Sequence, residues 1–193
     1  DGLNRLQAQT LEETAKPLAL PGPTGERNEM SVHPRGVVAV VAAQNGSFSG
    51  FVLRVAAALA GGNRVVAAGV ASLASALSAL LKPAAVPSDL ATVHAANQEE
   101  LCALLTSLDL QAAGLEGDLP QAVATLAARP RAIIPVDSDP VSPATLHRYL
   151  VERSRSVDMT AAGGNASLLM LNEDAPAAQA AAYEVQCRMT ALR

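Results

Sequence analysis

The chain has 193 residues, a formal net charge of −4 and 50% apolar residues, with two Phe, two Tyr and no Trp. A chain of this length buries one sizeable core, and its Ala, Val and Leu suit close helices on a Val-rich sheet while leaving no large aromatic binding platform. The acidic balance, with basic residues clustered only as Arg129/Arg131 and Arg153/Arg155, argues against a phosphate-tracking surface and hence against nucleic acid as a partner of this segment.

In chain order, Leu3, Leu6 and Leu11 predict a short amphipathic helix over residues 3–14, ended by Lys16-Pro17. Leu20 to Asn28, with Pro21, Gly22, Pro23, Thr24, Gly25 and Glu26, reads as a rigid, turn-rich linker, since its prolines fix φ and its glycines permit positive φ. Val37-Val38-Ala39-Val40-Val41 is then a run expected of a strand buried on both faces, the mark of a parallel sheet. Residues 48–60 place Phe48, Phe51, Val52, Val55, Ala56 and Leu59 at helical spacing, closed by Gly61-Gly62.

Strands are predicted at 64–68, 91–95, 110–115 and, despite Pro135, 132–136. Helices are predicted between them at 72–81, at 98–108 with Asn97 as N-cap, and at 120–128 with proline in the first turn. Repeated βα units of this length specify an α/β fold, a Rossmann-like, doubly wound and mainly parallel sheet. Farther on, 143–152 should be helical, 154–159 and 165–171 extended on either side of Thr160-Ala161-Ala162-Gly163-Gly164, and 175–192 a weak, Ala-rich helix.

The chemistry on offer is sparse. A dinucleotide loop normally needs a glycine-rich turn after the first strand of such a series, and Ala42-Ala43-Gln44-Asn45-Gly46-Ser47 holds one glycine, so it reads as an ordinary loop with Ser47 capping the helix. Gly163-Gly164-Asn165 precedes an extended segment and reads as a tight turn rather than a phosphate loop. Cys102, between Leu101 and Leu104-Leu105, is expected to be buried as a small apolar residue, and Cys187 beside Arg188 has no sequence-local His, Asp or Glu. Neither cysteine belongs to a C-x-x-C, so no disulfide framework is suggested and a reducing, cytoplasmic setting fits. His33, His94 and His147 stand apart, with no metal-ligand spacing. Arg54, Asn63 and Arg64 interrupt the longest apolar region, so no membrane span is expected. The chain starts with Asp and has no basic start followed by an apolar region, which predicts no signal peptide and suits a piece of a longer protein.

Two segments carry a more specific signal. Leu20-Pro21-Gly22-Pro23-Thr24-Gly25-Glu26-Arg27-Asn28 followed by Pro34-Arg35-Gly36, and Glu152-Arg153-Ser154-Arg155-Ser156-Val157-Asp158 running into Thr160-Ala161-Ala162-Gly163-Gly164-Asn165-Ala166-Ser167-Leu168-Leu169, resemble the C-terminal region of proline utilization A proteins. Those enzymes join a flavin-dependent proline dehydrogenase to an NAD-dependent glutamate-semialdehyde dehydrogenase, and some carry a further aldehyde-dehydrogenase-like domain. Between the anchors, Val40 to Phe48 and Ala56 to Ala67 follow the order of an aldehyde dehydrogenase cofactor domain. Asn45 falls where active members keep the asparagine that helps hold the oxyanion, but its neighbours depart from the usual Pro-Trp-Asn-Phe-Pro, and Ala68 replaces the lysine that reaches the adenosine ribose. A glycine-flanked nucleophilic cysteine and an activating glutamate motif are missing, and this family's catalysis needs that thiolate.

The resemblance therefore implies no catalytic, cofactor or metal residue in this segment, with Asn45 a relic, and assigns FAD and NAD to the parent enzyme. Over residues 20–171 it implies an aldehyde-dehydrogenase-like domain over 36–150 and a β-type tail over 151–171, beside the helix and Pro/Gly-rich linker over 1–35 and the Ala-rich helix or frayed end over 172–193 read from the residues themselves. The tail, through Thr160, Gly163, Gly164, Asn165, Ser167, Leu168 and Leu169, would dock on the dehydrogenase domain of the same polypeptide or of a second protomer. Two rival readings are a small independent NAD-binding or reductase domain using Asn45 and its loop, and an α/β regulatory module of an unrelated protein.

Overall fold

The structure, a computed structural model, describes residues 16–142 and 145–159. The expected helix at 3–14, the extended segment at 165–171, the terminal helix at 175–192, the docking residues from Thr160 to Leu169 and Cys187 lie outside the described residues. The described residues fall into two units, one containing Met30–Ser154, the other Ala19–Glu29 and Arg155–Met159.

The larger unit is built on strands β3 (Val37–Ala42), β4 (Arg64–Gly69), β5 (Ala91–Ala95), β6 (Ala112–Glu116) and β7 (Val136–Asp137). They form one sheet in the order β5-β4-β3-β6-β7, every pair parallel. Between them run helices α1 (Phe48–Ala60), α2 (Ala71–Leu81), α3 (Gln98–Ser107) and α4 (Pro120–Ala127), with the short α5 (Thr145–Arg148) after β7. The α/β, doubly wound, parallel reading holds.

Side-chain alternation in β3 shows how the core is divided. Val38, Val40 and Ala42 point into a cluster with Phe51, Val55 and Ala58 of α1, Leu77 of α2 and Leu146, while Ala39 and Val41 point into a second cluster with Leu101 and Leu105 of α3 and Ala122 and Leu126 of α4. A strand covered on both faces has no polar position to spare, which is why the Val/Ala run is unbroken.

Three elements differ from expectation. Of the strand foreseen at 132–136 only Val136 remains, paired in β7 with Asp137: Pro135 has no N–H to donate, although its carbonyl accepts from the Ala113 N–H (3.0 Å). The helix foreseen at 143–152 is confined to α5, and strand β8 (Leu150–Asp158) begins two residues after it. Burial of Leu146, Tyr149 and Leu150 in the first cluster outweighs a weak helical propensity there. The segment read as linker contains strands β1 (Leu18–Leu20) and β2 (Glu26–Pro34), which with β8 make a three-stranded sheet in the order β1-β2-β8.

In the smaller unit the Pro-Gly motif is a turn, with the Glu26 N–H donating to the Pro23 carbonyl (3.1 Å) and the Met159 N–H to the Gly25 carbonyl (2.7 Å). The turn chemistry read from Pro23, Thr24 and Gly25 is therefore local and sound, but it opens a strand.

Candidate functional site

In an open α/β sheet, ligands bind outside the carboxyl ends of the strands where the strand order reverses. Here the order reverses between β3, whose successor β4 lies on one side, and β6 on the other. A crevice of about 650 Å³ opens at that edge, within the size range of ligand pockets. Its lining includes Gln44 and Asn45 from the loop after β3, Asn97 and Gln98 at the start of α3, and Asp118 and Gln121 around the start of α4. Its polar lining consists of side-chain amides and one carboxylate, set among alanine, valine and leucine side chains.

Asn45 is exposed, and its Oδ1 accepts from the Asp118 N–H (3.1 Å), tying the loop after β3 to the loop after β6. The Ala43 N–H donates to the Glu116 carbonyl (2.8 Å), so the start of the loop after β3 is also held by backbone to the end of β6.

The helices around the crevice start in different ways. At α3, Asn97 Oδ1 accepts from the Glu100 N–H (3.0 Å) while Glu100 Oε2 accepts from the Asn97 N–H (2.8 Å), a reciprocal capping box within four residues. At α1, Ser47 Oγ accepts from the Gly50 N–H (3.0 Å), as expected of that residue, but Gly50 has no side chain to return the bond. The acceptor for the Ser47 N–H is Glu116 Oε1 (3.3 Å), at the end of β6.

Glu116 is the outer member of a buried ionic cluster that the sequence did not announce. Arg54, 1% exposed on α1, donates through Nε to Glu116 Oε2 (3.1 Å), through Nη1 to Asp137 and through Nη2 to the Asp139 carbonyl. Tyr149 donates its hydroxyl to Asp137 Oδ2 (3.5 Å). One guanidinium thus ties α1 to β6, to the two-residue β7 and to the chain beyond it. Burial alone would lower the affinity of Arg54 for its proton, but the Asp137 charge and the Glu116 hydrogen bond outweigh it and hold its pKa above the ordinary value. Tyr149 is pushed well above its ordinary value, first by burial and then by the Asp137 charge. Gly114 makes room for this tyrosine, since a Cβ there would stand 2.2 Å from its hydroxyl.

Asn63, 2% exposed and noted in the sequence only as an interruption of the longest apolar region, serves as a hub. Its Oδ1 accepts from the Gly36 N–H (3.0 Å), and its Nδ2 donates to the Ala58 and Tyr149 carbonyls (both 2.9 Å). A buried amide with all three partners fixes the loop between α1 and β4.

The remaining sequence candidates are dispersed. Cys102 is half-buried on α3, more open than expected, because Leu101 and Leu105 take the inward positions. His33 shares a 2.9 Å hydrogen bond with Ser31, and His94 one of 3.3 Å with Thr92. Among the described residues no three His, Cys, Asp or Glu side chains are grouped to hold a metal ion, and no helix is long and apolar enough to cross a membrane.

Comparison with known proteins gives this arrangement a family. The aldehyde dehydrogenase family profile matches residues 3–124, more than half of the chain. No curated protein matches it. Among solved structures, proline utilization A with proline bound in remote sites is 27% identical, with a TM-score of 0.58 over 70% of this chain and 15% of that one. Proline utilization A from Bdellovibrio bacteriovorus, inactivated by N-propargylglycine, is 21% identical, with a TM-score of 0.55 over 69% of this chain and 15% of that one. Succinate-semialdehyde dehydrogenase from Burkholderia pseudomallei shares the fold at 19% identity, with a TM-score of 0.60 over 70% of this chain and 29% of that one. The chain thus corresponds to about a seventh of the proline utilization A structures. With a matching profile, a doubly wound parallel sheet and this likeness to proline utilization A, the chain belongs to the aldehyde dehydrogenase family.

Proposed function

We propose that the chain is a non-catalytic, aldehyde-dehydrogenase-type unit of a bifunctional enzyme that oxidises proline to glutamate. In this reading it docks on the glutamate-semialdehyde dehydrogenase part, of its own polypeptide or of a second protomer, supporting that active site and enclosing the path of the intermediate. FAD and NAD serve the parent enzyme, and this unit holds neither. The observation that carries the reading is 27% identity to proline utilization A over 70% of the chain while spanning only 15% of that protein.

The site is consistent with it. Asn45, the relic of an oxyanion position, uses its side-chain oxygen to tie two loops, and Arg54, Glu116 and Asp137 are engaged with each other. These groups hold the fold rather than a reacting carbonyl. A cytoplasmic setting accords with the reading. The rival NAD-binding or reductase unit draws on Asn45 and the crevice beside it, but the Asn45 side-chain oxygen is already engaged by the Asp118 N–H.

The test is to remove the unit from the full-length parent by cutting before Leu18, the first residue of β1, and to assay proline oxidation with an artificial electron acceptor and semialdehyde oxidation by NADH absorbance. The expected result is loss of the NAD-linked step with proline oxidation retained. Unchanged rates in both would overturn the docking reading.

A further inference from the structure

The family's dinucleotide does not fit the helix starts of this chain. Pyrophosphate is held at helix N-termini by free N–H groups and the positive end of the helix dipole. At α1 the Ser47 N–H is already given to Glu116 and the Gly50 N–H to Ser47. At α4 the first residue is Pro120, which has no N–H, with Asp118 just before it. At α3 the Asn97 N–H is held by Glu100, and Glu99 adds a second negative charge in the first turn.

Glu116 is the least ordinary of these groups. It completes at α1 the reciprocal cap that Glu100 completes at α3, but from 69 residues away instead of three. Position 50 is the helical position that would normally carry the capping carboxylate, and it is glycine. A Cβ there would stand 2.4 to 2.5 Å from three atoms of the Glu116 carboxyl group. Gly50 and Glu116 are therefore sterically matched: the bare position admits the remote carboxylate, and Arg54 on the next turn neutralises it at 3.1 Å.

We infer that Glu116 is a built-in anion, occupying the start of α1 in place of a ligand phosphate, so that this helix start does not accept the pyrophosphate of a dinucleotide. Asp118, which lines the crevice, adds a second negative charge. The inference concerns the start of α1 alone and holds whether or not the unit docks on a dehydrogenase, so its failure and that of the docking reading are separable.

The experiment is calorimetric titration of the 193-residue chain with inorganic pyrophosphate and with NAD⁺, in wild type and in Glu116→Gln, which keeps the side chain's shape and removes its charge. Wild type should show no saturable heat with either ligand up to about 10 mM, and Glu116→Gln should bind pyrophosphate at least about tenfold more tightly than wild type. Adding Arg54→Met to Glu116→Gln should abolish that gain. Saturable NAD⁺ binding by wild type, or a folded Glu116→Gln chain that gains nothing, would overturn the inference. A reading independent of the folding of any variant is hydrogen exchange at the Ser47 amide of wild type. Protection of at least about tenfold over the unstructured rate is expected, and exchange at the unstructured rate contradicts the inference.

Discussion

At the start of α3 the capping carboxylate comes from the helix itself; at the start of α1 it arrives from the end of β6, across the crevice edge. Both satisfy an N-cap amide and place negative charge at the positive end of a helix. The local version depends only on Asn97 and Glu100 and survives wherever α3 forms. The remote version needs the β3–β6 pairing, a bare Gly50 and the Arg54 counter-charge, so it couples the helix start to the tertiary fold. Closing a cap locally stabilises one helix, whereas closing it remotely makes the cap a test of whether the sheet has assembled.

This difference predicts unequal costs for breaking the two. Arg54→Met would leave Asp137 buried at 4% exposure with its carboxylate deprived of its counter-ion, and should lower unfolding free energy by roughly 3 to 5 kcal/mol in urea titrations. A loss below about 1 kcal/mol would mean that the cluster does not bind α1 to β6 and β7 as described. Asn97→Ala, which opens only the local box, should cost about 1 kcal/mol, with the loss confined to α3 by hydrogen exchange.

A smaller effect appears only at high pH. The folded Tyr149 holds its proton more tightly than the unfolded one, so its contribution is fully present below the ordinary value of about 10. It is lost as pH rises from there through the raised folded value, because the unfolded tyrosine ionises first. Tyr149→Phe should therefore lose less stability than wild type between about pH 9.5 and 11, with the two curves parallel near pH 7. Identical slopes in the alkaline range would remove Tyr149 from the cluster's energetics.

Much of the fold was legible because its causes are local. The Val37–Val41 run, the helical spacing from Phe48 to Leu59 and the N-cap at Asn97 each lie within one element, and each appears where the sequence places it. The strand at 132–136 was over-read because Pro135 was given too little weight, and 143–152 was misread because burial of Tyr149 and Leu150 is a tertiary effect. The loop carrying Asn45 joins a strand to a helix, as read, but the role of that asparagine as a tie to Asp118 depends on a contact 73 residues away. Glu116 was invisible for the same reason, being an ordinary acidic residue after a weak strand. The one local sign was a glycine where a helix start would normally carry the reciprocal carboxylate.

The most direct test of the docking account is complementation in trans. The parent enzyme cut before Leu18 is mixed with the separate 193-residue chain, and NAD-linked semialdehyde oxidation is followed as the chain is added. The account predicts that activity lost on cutting returns with saturation at a defined stoichiometry, while proline oxidation stays constant throughout. A cut enzyme with undiminished NAD-linked activity, unaffected by the added chain, would contradict it.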